Sequence, residues 1–489
     1  MLIIENKEIF NVILHKILIK NNMNKKVGLS TFILCFISMM CVYSQQNSGG
    51  IDEQMLQEIQ KSYKNTPNDK ALRNAITNND INKLAINNEL NPSPDTYFSN
   101  KVNIKGITNQ KSSGRCWMFT GMNVLRAKVL AKYKMDKFEF SQNYLFFWDQ
   151  LEKSNLFLQA VIDTRTKDFN DKTVEFLFKN PIGDGGQFTG IIDLVTKYGL
   201  VPKEIMSETN SSDNTTRMNQ LISLKLREYG LELREMGKQK GITDIRFKQR
   251  KTEMLATIYR LLALNLGVPP TTFTWTLKDA NGKPINTKEY TPKTFYQKYV
   301  NEDLTTYIMF MNDPTREYYK VYEIEYDRHV YDGTNWKYIN LPIEEIKEMA
   351  IASIKDSTCL YFSCDVGKFY NRDNGTLDLH NFDYNSLMGT SFSMDKKQRI
   401  QTFASSSSHA MNLCAVDLDK DGKPIKWLLE NSWGITGYNG YLIMTDEWFN
   451  EYMFRMVVEK KYIKKEILEL LKQPSIKLPP WDPMFAPEE

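Results

Sequence analysis

The chain has 489 residues, 42% hydrophobic, 25% charged and 12% aromatic, a globular composition too long for one ordinary core. Plentiful aromatics and the lack of low-complexity tracts exclude a mainly disordered protein. Five lysines and two glutamates in residues 1–44 carry most of the +4 net charge, so the remainder offers no electrostatic case for nucleic acid or acidic membranes.

From Met23 the chain reads MNKKVGLSTFILCFISMMCVYSQQ, two lysines ahead of an uncharged apolar run that ends at Ser44. That is the pattern of a secretory signal peptide over residues 23–44, cleaved after Ser44; an uncleaved membrane anchor is the competing reading. Residues 1–22 are an extension unlike a signal, which points to a start at Met23. The mature protein is expected to be exported, periplasmic or secreted. Without Cys35 and Cys41, four cysteines remain (Cys116, Cys359, Cys364, Cys414), too few for a disulfide framework. Cys359 and Cys364 sit five apart on one apolar strand, on opposite faces, and are not expected to pair.

Residues 45–97 read as a polar arm with helical segments near 54–63 and 70–86. Residues 98–204 are aromatic and punctuated by glycine. The spacing predicts helix over most of 214–265, turns at Asn281–Gly282 and at Asp332–Gly333, a helix over 343–353 and a strand at Cys359. Short strands and turns follow His409, then a helix over 463–472 and a proline-rich tail.

The chemistry converges on Cys116, where the polar run NQKSSGR gives way to a helical pattern with Met118, Met122, Leu125 and Val129 on one face. A cysteine at a helix N-terminus is where unpaired N–H groups and the helix dipole favour the thiolate that attacks carbonyl carbon. Gln110, six residues upstream, can bring an amide donor to an oxyanion. Far downstream, His409 stands where SSSS meets an apolar strand, and Asn431 stands in LLENSWG. A cysteine nucleophile needs a base for its proton and an amide to orient that base; His409 and Asn431 fill those roles. Trp433 is placed to shield the His–Asn hydrogen bond from water.

Other signals are weaker. Asp417, Asp419, Asp421 and Gly422 begin like a calcium loop, but Leu428 occupies the position of its final glutamate, so a hairpin turn is expected. His329 and His380 lack paired ligand spacing, and neither HExxH nor GxSxG occurs. No metal and no organic cofactor is expected.

Together, NQ-x5-CW, the strand-starting His409 and NSWG resemble the papain-like cysteine peptidases. The segments FEFSQNYLFFWDQ, DGGQF, SCDVGKFYN, DEWFNEYMF and LPPWDPM are similar to the bleomycin hydrolase / aminopeptidase C branch (peptidase C1B), from about residue 98 to the C-terminus. The resemblance implies an α+β, papain-like fold, with a helical lobe over 98–204 and a β-rich lobe over 346–472. His409 follows Cys116 by about 290 residues, where a compact papain-type chain needs about 130–150, so 205–345 reads as a large, mainly helical insertion. In this branch such an insertion helps build a homo-hexamer.

The resemblance also implies that Gly185 and Gly186 line the substrate cleft. The C-terminal arm, 473–489, would reach that cleft and hold the substrate's free amine with its terminal carboxylate at Glu489. That makes a cysteine-type aminopeptidase acting on peptides with a free N-terminus. The tail departs from the family after Met484, with Phe485 in place of the usual glycine and a Pro487-Glu488-Glu489 end. An endopeptidase with an open cleft is therefore the alternative, and a catalytically silent peptide-binding scaffold the rival from another class.

Overall fold

The computed structural model describes residues 49–89 and 94–484, in two units divided after Asp80. In the first unit, α1 (Glu53–Ser62) begins at Asp52, whose carboxylate accepts the Met55 N–H at 2.8 Å. α2 (Pro67–Asn78) begins with a proline in its first turn and a reciprocal Thr66–Asp69 capping box. No residue of either helix is buried, so capping rather than core packing defines them.

The second unit is built around α3 (Cys116–Tyr133), with α4 (Gln142–Asp163), α5 (Phe188–Tyr198), α6 (Thr216–Gly237) and α7 (Asp244–Leu266). Met118, Met122, Leu125 and Val129 are buried, as their spacing predicts. They share a core with Leu145 and Phe146 of α4 and with Ile191 and Leu194 of α5. Yet 13 of the 18 residues of α3 are buried, so it is enclosed all round rather than amphipathic. Gly121 explains one side of that enclosure. A Cβ there would lie 2.6 Å from Ile191 Cγ1, so only glycine lets α5 come this close.

On its other side α3 meets a twelve-stranded sheet. The strands of the unit, in chain order, are β1 (Asn100–Lys101), β2 (Phe273–Lys278), β3 (Pro284–Tyr290), β4 (Tyr307–Met311), β5 (Lys320–Ile324), β6 (Lys337–Asn340) and β7 (Leu360–Cys364). They continue with β8 (Tyr370–Asn371), β9 (Thr376–Leu377), β10 (His409–Leu418), β11 (Pro424–Glu430), β12 (Tyr441–Thr445), β13 (Met453–Glu459) and β14 (Ile476–Leu478). β2 and β3 form a separate hairpin turning near Asn281 and Gly282. The large sheet runs β14-β5-β6-β4-β13-β7-β10-β11-β12-β9-β8, with β1 beside β10. α8 (Ile343–Lys355) packs against it.

One boundary differs from the sequence reading. β4, β5 and β6 lie within 205–345, the stretch assigned to a helical insertion, yet they extend the sheet that carries His409. Met311 of β4 stands opposite Arg455 of β13, a pairing too distant in sequence for local periodicity to reveal. Among the described residues no helix is long and apolar enough to cross a membrane, and the signal or anchor at 23–44 lies outside them.

A buried ion pair fastens α3 to the sheet. Arg126 of α3 meets Glu430 at the end of β11, and Asn412 of β10 donates to the same carboxylate at 2.8 Å. Burial pushes the Glu430 carboxyl above its usual range, and Arg126 works against that rise. Removing one partner strands the other charge. Arg126→Met is therefore expected to lower unfolding free energy by about 3–5 kcal/mol. Arg126→Met with Glu430→Gln should recover part of that in urea titrations; a double variant no better than the single would refute the pairing argument.

Candidate active site

Cys116 is the first residue of α3, and the preceding Arg115 supplies no side-chain cap. The fully buried Arg115 guanidinium turns away, to Glu208 at 2.9 Å, the Ser212 carbonyl at 2.7 Å and Ser113 Oγ at 3.0 Å. It therefore pins the loop leading into the helix. Cys116 is partly exposed, whereas Cys359, Cys364 and Cys414 are buried, and none of the four is in a disulfide. Burial pushes those three thiols well up, away from the thiolate.

His409 opens β10 directly opposite Cys364 of β7. A charge on Cys116 is felt at Cys364 and at Tyr361 of the same strand. The imidazole Nε2 lies 2.8 Å from Asn431 Oδ1. The Ser432 backbone N–H donates to that same oxygen at 2.8 Å, which fixes the amide with its carbonyl toward the ring. Nε2 is thus the protonated nitrogen, leaving Nδ1 with the lone pair. Trp433 stacks on the ring, with centroids 4.5 Å apart and planes at 29°. Burial lowers the His409 pKa to about 4, and the Asn431 hydrogen bond opposes this, so the isolated imidazole is neutral.

Gln110 joins the two sides. Its backbone N–H donates to the Ser432 carbonyl at 2.8 Å, and its Oε1 accepts from Ser432 Oγ at 2.7 Å. Its Nε2 donates to the Ser113 carbonyl at 2.6 Å. The segment before Cys116 is in this way laced to the segment after Asn431, and an isolated bridge between Asn109 and Trp433 adds to it.

The peptidase C1-like family model matches residues 50–485. This chain belongs to the peptidase C1-like family. It is 38% identical to aminopeptidase C of Lactobacillus delbrueckii subsp. lactis, covering 84% of this chain and 93% of the relative. It is 37% identical to the bleomycin hydrolase of Homo sapiens, covering 90% and 99%. The crystal structure of PepW from Lactobacillus rhamnosis HN001 aligns with a TM-score of 0.86 and 38% identity, over 90% of this chain and 99% of that one. The C1-like chain is a cysteine peptidase, and its α+β architecture is the papain-like fold.

In this C1-like peptidase the glycine loop lies against the segment around Cys116. Trp117 Nε1 donates to the Asp184 carbonyl at 2.6 Å, and Asp184 Oδ2 accepts the Gly114 N–H at 2.9 Å. Lys153 Nζ donates to the Gly183 and Gly185 carbonyls at 2.9 and 2.6 Å. Gly185 is exposed and Gly186 half-buried. A Cβ on Gly186 would lie 2.3 Å from His329 Cε1 and 2.6 Å from Trp117 Cε2, two buried rings with no room to retreat. Gly186→Ala is therefore expected to cost at least tenfold in kcat/KM, about 1.4 kcal/mol, and to lower the thermal midpoint, whereas Gly185→Ala, with nothing within 4 Å, should keep the wild-type thermal midpoint. Equal thermal midpoints for the two variants would dismiss this account.

The C1-like chain's tail is seated on the body as far as Met484. β14 pairs in parallel with β5, Asp482 bonds Arg316, and the buried Met484 offers its carbonyl to Arg455. Arg455 also donates to Gln187 Oε1 at 2.8 Å, which brings the arm beside the residue after Gly186. Glu489, assigned to amine capture, lies outside the described residues. The Asp417–Gly422 stretch is a hairpin turn, closed by Asp419 Oδ1 accepting from the Asp421 and Lys423 N–H groups. Sequence reasoning declined His329 for want of a paired ligand, and gave no role to Asp149 and Asp184, though FEFSQNYLFFWDQ and DGGQF contain them, or to Arg455, which stands in no quoted motif.

Proposed function

We propose that this peptidase is an aminopeptidase that removes N-terminal residues from peptides through a Cys116–His409–Asn431 triad. The observation that carries the reading is the His409–Asn431 hydrogen bond under Trp433, laced through Gln110 to the segment that ends at Cys116. His409 Nδ1 takes the thiol proton, and the Cys116 thiolate attacks the peptide carbonyl carbon. The second Gln110 amide proton and the Cys116 N–H meet the resulting oxyanion. The imidazolium returns the proton to the leaving amine, a thioester remains on Cys116, and water activated by His409 hydrolyses it. Asn431 holds the ring through the cycle, and Trp433 keeps water from that bond. No metal or organic cofactor takes part.

The exopeptidase half of the proposal rests on the arm. Its described part reaches the buried Met484, whose carbonyl shares Arg455 with Gln187 at the end of the glycine loop. A carboxylate there meets a substrate ammonium in a partly desolvated groove, a favourable pairing. We further propose a homo-hexamer, checked by light scattering, and export through residues 23–44, checked by the N-terminus of the secreted protein.

The test compares an aminoacyl fluorogenic amide with its N-acetylated twin, using protein lacking residues 1–44. Cleavage of the free-amine compound alone is the expected result. Equal cleavage of both would replace the proposal with an open-cleft endopeptidase. No Cys116-dependent cleavage of either would leave a peptide-binding scaffold.

A further inference from the structure

Among the described residues, His329 is the one buried histidine that the triad leaves unused, and it sits directly behind the nucleophile segment. The residue is 2% exposed, and its ring packs on Trp117, the neighbour of Cys116, with centroids 4.5 Å apart. Two glycines make room for it. A Cβ on Gly190 would lie 2.7 Å from its Cδ2, and one on Gly186 would lie closer still. The space is cut to an imidazole.

The ring's polar contacts are directional. Nδ1 lies 2.5 Å from Asp149 Oδ1 on α4. The other Asp149 oxygen meets Lys153 Nζ at 2.9 Å and Gln150 Nε2 at 3.0 Å. Burial works to raise the Asp149 carboxyl, but Lys153 and His329 outweigh it and hold it below the usual range. The Gln187 N–H, at the start of α5 where helix donors lack backbone partners, points at Nε2 from 3.4 Å. That contact makes Nε2 the acceptor and leaves Nδ1 as the nitrogen that donates to Asp149. Lys153, the counter-charge of Asp149, is also the donor to Gly183 and Gly185. Gln187 in turn carries Arg455, which holds the Met484 carbonyl.

We propose that His329, oriented by Asp149, is a positioning residue that sets the Gly185–Gly186–Gln187 backbone for the substrate main chain and, through Gln187 and Arg455, the seat of the C-terminal arm. The arm half of this statement rests on the aminopeptidase reading; the backbone half does not. His329 touches no reacting atom, so its removal shows in substrate affinity rather than in nucleophile reactivity.

Two substitutions separate its two nitrogens. His329→Asn keeps a donor for Asp149 and loses the acceptor for Gln187; His329→Gln places Oε1 where Nε2 was. In protein lacking residues 1–44, His329→Asn should raise KM about tenfold, the scale of one hydrogen bond. Its kcat and the rate of Cys116 alkylation by iodoacetamide should hold within about twofold, and the blocked-to-free substrate ratio should rise. His329→Gln should restore KM. An unchanged KM in His329→Asn overturns the proposal. So does a parallel fall in kcat, alkylation and thermal midpoint, which would make the ring mere packing. If neither variant folds, nitrogen NMR of histidine-labelled wild type decides: the Nδ1–H tautomer at His329 supports the proposal, and the Nε2–H tautomer refutes it. A wild type that cleaves blocked and free substrates alike would sink the aminopeptidase reading, while the KM comparison would still judge His329.

Discussion

Cys116→Ala, in protein lacking residues 1–44, is expected to lower kcat by roughly 10⁵–10⁶-fold, the scale seen when a covalent nucleophile is deleted from a triad. The expectation is this large because nothing can stand in for Cys116. Cys364 is opposite His409 in the sheet, but it is fully buried and burial drives its thiol away from ionisation. Cys359 and Cys414 are in the same condition. A companion measurement uses the same contrast. Iodoacetamide should label the native, shortened protein once, at Cys116, with the other three thiols reacting only after unfolding. Substantial turnover by the alanine variant, or rapid labelling at a second cysteine, would overturn the assignment.

His409 should titrate very differently with and without its thiolate. In Cys116→Ser no anion offsets the burial, and the ring should stay neutral down to about pH 4. In wild type the thiolate favours imidazolium and lifts the pKa. The sign for stability follows directly. A folded-state value below the ordinary 6.5 means that the unfolded chain binds more protons between those limits. Stability of Cys116→Ser is therefore complete above pH 6.5 and falls as pH drops toward about 4, by about 3 kcal/mol from this group. Urea titrations of Cys116→Ser against Cys116→Ser/His409→Gln isolate that slope. Trp433→Ala admits water and should move the His409 value back toward 6.5. A His409 that titrates near 6.5 in Cys116→Ser would contradict both the burial argument and the shielding role of Trp433.

Residues close in sequence were read correctly where one local physical rule governs them. The four-residue spacing of Met118 and Met122 marked a buried helix face, and a polar run turning helical at Cys116 marked a helix start. His409 and Asn431 stood at strand ends because polar runs meet apolar ones there, and the structure hydrogen-bonds them. What escaped was chemistry made by distance. His329 and Asp149 are 180 residues apart, and Arg126 and Glu430 are 304 apart. A lone histidine or arginine in a mixed segment carries no signal of such a partner. The tyrosine-rich stretch holding β4, β5 and β6 was assigned to the insertion for the same reason: strand partnership is a property of two segments, and only one was in view.

The order of strands ties closure of the sheet to a late segment of the chain. β13, residues 453–459, lies between β4 and β7, near the middle of the sheet rather than at its edge. Until that late segment is made, no strand joins β4 to β6 to the half of the sheet that carries His409. β7, β10 and β11 are made earlier and pair among themselves, so the late strand closes the sheet rather than builds the site. Such long-range closure is slow and comes last in synthesis. A chain cut short of residues 453–459 would leave β4 to β6 as a separate fragment of sheet.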